Sequence, residues 1–324
     1  MSINDDVELR DEVSGATARI LPALGFNCVS FRVPMGADGE PVDVLWAEPG
    51  VGPGSKATRS GIPLLFPFGG RLRGTGFAYE GRTYATPGAL LNGGNSIHGF
   101  VLNRPWRVTG RSADSVVGEF QASVDDPTLL DQWPADFLIR VGYTVNGTSL
   151  RSTIEVENPG AAPLPFGFAT HPYFALPLGP AGSAEHCVVT VPAAEAWVLA
   201  DLLPTGERRP VAGGNDLRAG IALRGRTFDD VLTALASASD AEGVVEMTIA
   251  DPVNGRIVRQ RCTGAFRECV VYTPDNRQSV AVEPYTCAPT VFELMAKGVD
   301  AGLQTLAPGA STAMQIDITL EATA

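Results

Sequence analysis

Between Phe137 and Glu157 the chain alternates twice about a central glycine. Phe137, Ile139, Val141, Tyr143 and Val145 take every second position, Asn146-Gly147 follows, and Leu150, Ser152, Ile154 and Val156 take every second position on the return. A period of two lines up one set of side chains on one face of an extended strand. Asn-Gly between two such runs is the strongest short-range hairpin signal, because both residues accept the positive φ of a type I′ turn. Asn254-Gly255 repeats the device between Val245–Ala250 and Ile257–Arg261. These hairpins predict antiparallel sheet. The β-α-β alternation and the Gly-rich fingerprint of a doubly wound nucleotide fold are both missing from the sequence.

Shorter runs extend the pattern. Thr17–Leu21, Asn27–Val33 and Val42–Trp46 read as strands, separated by Gly25 and by Gly36-Ala-Asp-Gly39. Trp106–Val108, Val116–Ala122, Glu268–Tyr272, Ser279–Val282 and Ala313–Leu320 follow, the last with Met314, Ile316, Ile318 and Leu320 on one face. Helical signals are limited to Asp229–Ser237, for a couple of turns, and Val291–Ala296, for one. The 36 glycines and 25 prolines are spread along the chain, as many turns between short strands require. With no linker-like break and no repeat of 20–50 residues, the expectation is one large, mainly antiparallel all-β domain over residues 1–324.

Composition narrows the partners. A net charge of −12 argues against a general binder of nucleic acid or of anionic membranes. No apolar run approaches the roughly 18 residues of a membrane span. The five cysteines, at 28, 187, 262, 269 and 287, are odd in number, irregularly spaced and free of C-x-x-C. That is neither a disulfide framework nor a zinc site, and it fits a reducing compartment. The acidic start, MSINDDVELRDE, is unlike a signal peptide, so a cytoplasmic protein is expected.

The stretch Gly61–Trp106 carries the first functional signal. GIPLLFPFGGRLRG sets Arg71 and Arg73 just past an apolar run, and NSIHGF sets His98 between Ile97 and Gly99. Together with Phe66, Phe68, Phe77 and Phe100 this reads as the lining of a cleft with apolar walls and a few fixed polar groups. The chain has only three histidines. His98 and His171 both lie where a strand-like apolar run meets Gly or Pro among aromatics, whereas His186 lies in a polar loop. Glu283 ends the buried-looking run Ser279–Val282, where a carboxylate must be paired, hydrogen-bonded or neutralised; Arg267 and Arg277 are candidate partners. A carboxylate and a histidine are also the minimum kit for general acid–base catalysis. Asp229-Asp230 reads either as the acidic start of a short helix or as a sugar-hydroxyl acceptor. Metal and nucleophile motifs such as H-E-x-x-H and G-x-S-x-G are missing.

These pieces, in their order, resemble the aldose 1-epimerase (galactose mutarotase) family: Gly61–Phe68 with Arg71 and Arg73, then Asn95–Phe100 with Arg104-Pro105-Trp106, then Phe166–Phe174, then Leu202–Gly206, then Glu283-Pro284-Tyr285. The resemblance runs from about Gly61 to the Pro308-Gly309 region. It implies a large antiparallel β-sandwich with a sugar cleft, and interconversion of the α and β anomers of a free aldose without a cofactor or metal. Carried over residue by residue, it makes Glu283 the general base, His171 the general acid and His98 a second histidine that holds or polarises the substrate. Arg71 becomes a substrate-binding arginine. Asp229 becomes a sugar-binding aspartate, with Asp230 as the competing equivalent. The sequence departs from the family's best-known members at Phe228-Asp-Asp-Val231 and around Glu283-Pro-Tyr-Thr-Cys287, which bears on sugar preference. The expected partner is a small sugar, taken by a monomer or a homodimer. Two further readings stay open. One is an epimerase of hexose 6-phosphates, its phosphate held by arginines among Arg71, Arg73, Arg104 and Arg107. The other is a carbohydrate-binding protein of the same fold without activity.

Overall fold

The computed structural model describes residues 6–35 and 39–323. The turn expected at Gly36-Ala-Asp-Gly39 falls, at 36–38, outside the described residues. Two large antiparallel sheets face each other. The first has nine strands in the order Arg107–Arg111, Ser115–Gln121, Leu138–Asn146, Ser149–Glu157, Ser311–Ala322, Arg256–Thr263, Val244–Asp251, Val188–Thr190 and Ile221–Ala222. The second has eight. Its path runs Leu203–Pro210, Ala193–Ala200, Asp229–Leu235, Glu268–Tyr272, Ser279–Tyr285, Ala169–Thr170 and Leu64–Leu65, with Tyr173–Ala175 also paired to Ser279–Tyr285. A four-stranded sheet from the N-terminal segment, Val7–Arg10 to Pro41–Asp43, packs beside them. The expected large antiparallel β-sandwich is therefore the architecture.

Burial explains why the two sheets read differently in sequence. Leu138–Asn146 and Ser311–Ala322 bury alternate residues, Met314, Ile316, Ile318 and Leu320 among them, because one face meets the core and the other meets solvent. Ser279–Tyr285 is buried at every position, since it has the nine-stranded sheet on one face and further protein on the other. The two layers are joined by a polar contact as well as by apolar packing: Gln260 Nε2, fully buried in the first sheet, donates to Val282 O in the second at 2.8 Å.

Three local expectations need correction. Asp229–Leu235 is a strand, not a helix, paired with Glu268–Tyr272 on one side and with Ala193–Ala200 on the other. Two ready sheet neighbours outweigh the helix-favouring acidic start and alanines of a segment too short to hold a helix alone. The Asn146-Gly147 hairpin forms, but Asn146 pairs with Ser149, so the two loop residues are Gly147 and Thr148. Only Gly147 has positive φ, which is the II′ rather than the I′ pattern. The Asn254-Gly255 hairpin closes at Asp251 and Arg256, making a four-residue loop in which Asp251 accepts the amides of Val253 and Asn254.

Glu268 is the buried acid that the sequence did not single out. It lies fully inside the eight-stranded sheet, accepting from Trp197 Nε1 at 2.9 Å, with Arg267 Nε 3.3 Å from its other oxygen. Burial pushes its carboxyl from 4.5 up to about 7. A carboxyl raised on folding contributes its full share below pH 4.5 and loses it as pH rises through about 7. Between pH 5 and 8 we expect wild type to lose on the order of 1–3 kcal/mol relative to Glu268→Gln. Melting curves of both proteins across that range test this, and parallel pH dependence would remove Glu268 as the cause.

Candidate functional site

The floor of the cleft is a grid set by strand register. Glu283 pairs with Val270, which pairs with Val231; Ala281 pairs with Tyr272, which pairs with Asp229. Residues directly opposite share a face and residues two apart repeat it, so Asp229, Val231, Val270, Tyr272, Glu283 and Tyr285 all point the same way, into one cleft of about 580 Å³. Asp230 points to the other face and accepts from Asn215 Nδ2 at 2.8 Å. Register therefore separates the two aspartates.

One wall comes from Gly61–Trp106. Arg71 pairs with Ile97, and the His98 amide then donates to Gly70 O at 2.9 Å. His98 and Gly99 have φ of +65° and +73°. A Cβ at Gly99 would lie 2.1 Å from Phe66 O, so only glycine lets the chain pass there and swing the histidine inward. His171 arrives from the neighbouring strand edge, where its amide donates to Pro63 O at 3.0 Å. The phenylalanines of this stretch do not line the cleft. Phe66, Phe68, Phe77 and Phe100 are buried beneath it, packed against Phe137, Trp133 and Phe292. Around the floor valines Val231 and Val270, the apolar lining includes Leu90, Leu91, Ile97, Leu199, Leu202 and Pro289.

At the centre His171 Nε2 lies 3.3 Å from Glu283 Oε1. Tyr285 Oη donates to Glu283 Oε2 at 3.1 Å, and the Tyr173 hydroxyl lies 3.4 Å from His171 Nε2. The His171 ring stacks on Tyr173 at 4.5 Å between centroids and meets His98 edge-on at 5.6 Å. Glu283 is 1% exposed and His171 6%. Burial pushes the Glu283 carboxyl well above 4.5, with Tyr285 and Arg71 opposing the rise and Asp229 adding to it. Burial pushes His171 down to about 3, and pushes His98 well below 6.5 with the help of His171 and Arg71. The imidazole Nδ1 atoms of His98 and His171 are buried and make no hydrogen bond among the described residues. Such atoms are costly unless something in the cleft satisfies them.

Of the candidates, the fold brings His98, His171, Glu283, Arg71 and Asp229 to one cleft. It leaves His186 outside, near Ser183 and Arg224. Arg267 and Arg277 are not partners of Glu283. Arg267 pairs with Asp300 and Glu268, and Arg277 donates to the carbonyls of Arg226 and Leu223. Arg73 pairs with Glu293 at 2.8 Å, Arg104 with Asp126 at 2.7 Å and Arg107 with Asp125 at 2.9 Å, none of them lining the cleft. Lys56 and Arg59 do line it, and sequence reasoning missed both. Arg59 has a φ of +84° just before the Gly61 stretch, a strain that leaves no mark in composition or periodicity.

Comparison with known proteins bears on the family and the fold. The pattern of the family described as aldose 1-epimerase matches residues 7–319. Among curated relatives, the uncharacterized protein YphB of Escherichia coli is 28% identical over 158 residues, 47% of this chain and 50% of that protein. The match to uncharacterized YihR of the same organism is 23% identical over 241 residues, covering 73% and 72%. The chain thus spans half the length of the first relative. A galactose mutarotase-like protein from Clostridium acetobutylicum superposes with a TM-score of 0.83 at 22% identity, covering 96% of this chain and 94% of that one. The GalM/aldose epimerase homologue from C. elegans gives 0.78 at 19% identity, covering 99% and 100%. At these identities the structures speak for the fold, and the family match over nearly the whole length carries the assignment: the chain belongs to the aldose 1-epimerase family.

Proposed function

We propose that the protein is a mutarotase, interconverting the α and β anomers of an aldohexose by acid–base ring opening and closure. The observation that carries this is the buried Glu283–His171 contact at 3.3 Å, open to a cleft and flanked by Arg71, His98 and Asp229. An imidazole nitrogen and a carboxylate oxygen this close can pass one proton between them. The pair therefore has two arrangements of equal proton count, imidazolium with carboxylate and imidazole with carboxylic acid. Ring opening converts the first into the second. Glu283 takes the proton of the C1 hydroxyl while His171 delivers one to the ring oxygen. The C1–C2 bond of the open aldehyde rotates, and closure returns both protons. The two oxygens are attached to one carbon, so adjacent groups on one wall can serve both. Each proton transfer is typically worth ~10²–10⁴ in rate, and positioning of the hydroxyls by Arg71, Asp229 and the unpaired imidazole nitrogens adds to it.

A second reading has its own observation. Lys56, Arg59 and Arg71 all line the cleft of a chain whose net charge is −12. A hexose 6-phosphate would find counter-charge there. Relative rates on glucose and glucose 6-phosphate separate the two substrates.

Three outcomes are expected. In polarimetry of freshly dissolved α-D-glucose and α-D-galactose against a buffer blank, wild type shortens the decay to equilibrium, and Glu283→Gln loses at least ~10²-fold while keeping its fold; a near-normal rate in the variant would remove Glu283 as the base. His186→Ala turns over like wild type, and a loss as large as that of His171→Ala would mean the wrong histidine was chosen. The pH profile follows from the buried pair. The active form carries one proton, so acidification disables it only by adding a second, a step held far below 6.5 by the depression of His171 to about 3. Alkalinisation disables it when the shared proton leaves, a step raised above the ordinary 4.5 of a glutamate. We expect kcat/KM to show no acid limb centred near 6.5; finding one would point to an imidazole titrating as if exposed.

A further inference from the structure

We infer that Tyr285 is a positioning residue, which holds the Glu283 carboxylate with Oε1 turned to His171 and sets its proton affinity; the inference rests on the mutarotase reading for its kinetic consequence. Glu283 and Tyr285 are two residues apart on one strand, so both side chains project from the same face. The phenol spans back along the strand and donates to Oε2 at 3.1 Å. With Oε2 held by an O–H donor, the carboxylate plane is fixed and Oε1 is left for the histidine at 3.3 Å. The ring is itself clamped. Tyr285 is 1% exposed, and its Cε2 lies where a Cβ on Gly69 would come to 2.6 Å. A Cβ on Gly70 would come to 2.7 Å from Pro289 Cγ. The paired glycines ahead of Arg71 thus let the cleft wall close down on the tyrosine ring, and a rigid ring gives a rigid donor.

Titratable groups face Glu283 from every element around it, and of these Tyr285, Asp229 and Arg71 act on its carboxyl. His171 touches it directly, Tyr173 comes from the strand Tyr173–Ala175, Cys269 and Tyr272 from Glu268–Tyr272, Asp229 from Asp229–Leu235, and Arg71 from the cleft wall. Tyr285 is the one that donates a hydrogen bond to the carboxylate and favours its charged form, against a burial that disfavours it. Losing the hydroxyl therefore leaves a carboxyl that is both harder to ionise and free to turn.

The test uses Tyr285→Phe, which keeps the ring against Gly69 and removes only the hydroxyl. The carboxyl stretch of Glu283, read as the infrared difference between each protein and its Glu283→Gln counterpart, is titrated in both. We expect the Glu283 titration to move up by about one pH unit. In polarimetry we expect kcat to fall about tenfold with KM within about twofold, and the alkaline limb to move up with the titration. Gly69→Ala, whose methyl displaces the ring but leaves the hydroxyl, should move the same titration the same way. An unmoved infrared titration in the folded variants overturns the proposal whatever happens to the rate. The infrared readout needs no turnover, so a protein without mutarotase activity would refute the proposed function while leaving this inference to be decided by the titration alone.

Discussion

Under the mutarotase reading, a buried carboxylic acid and a buried imidazole 3.3 Å apart work with one proton between them. Either group charged and alone at that depth would face a desolvation penalty of several kcal/mol. Sharing the proton makes the pair neutral overall and keeps a charged arrangement within reach. The surrounding structure follows from keeping that pair together. Sheet register puts Glu283 beside Val270 and over the cleft. The pairing of Ala169–Thr170 with Leu64–Leu65 delivers His171 from the next edge. The two successive left-handed residues at His98 and Gly99 bring the second imidazole against the first.

The electrostatics of the cleft oppose one another in a useful way. Arg71 favours the Glu283 carboxylate, Asp229 disfavours it, and Arg71 in turn opposes the burial-driven rise of Asp229. Under the mutarotase reading, a sugar in the cleft would meet one donor, Arg71, and one acceptor, Asp229, that act on the Glu283 carboxyl in opposite directions.

Much of the fold was legible because most strands have one dry face and one wet one. The alternation of Phe137–Val145 and of Met314–Leu320 states the sheet directly, and the turn glycines mark the hairpins even where the turn sits one residue further along. Asp229–Leu235 was misread because its central residues are buried consecutively, which erases the period, and its strand character comes from neighbours distant in sequence. In the cleft, His98, His171 and Glu283 were visible as polar residues where apolar runs end. Arg71 was visible just past an apolar run and Asp229 as one of an acidic pair, and the family resemblance gave each its role. Lys56 and Arg59 look like ordinary surface cations, and only tertiary placement, with a positive φ at Arg59, brings them to the rim. Glu268 was hidden for the opposite reason: its partner Trp197 is 71 residues away, and no local pattern records the contact.

The strand Ser279–Tyr285 is buried at every position and tied by Val282 O to Gln260 of the opposite sheet. The floor beneath the proposed base is thus part of the protein's most cooperative unit. Its amides should exchange with solvent only when the whole sandwich opens. The rim of the cleft differs: Arg59 and Leu202 line it with positive φ in exposed segments. We expect a floor that keeps time with global unfolding and a rim that moves on the faster clock of loops.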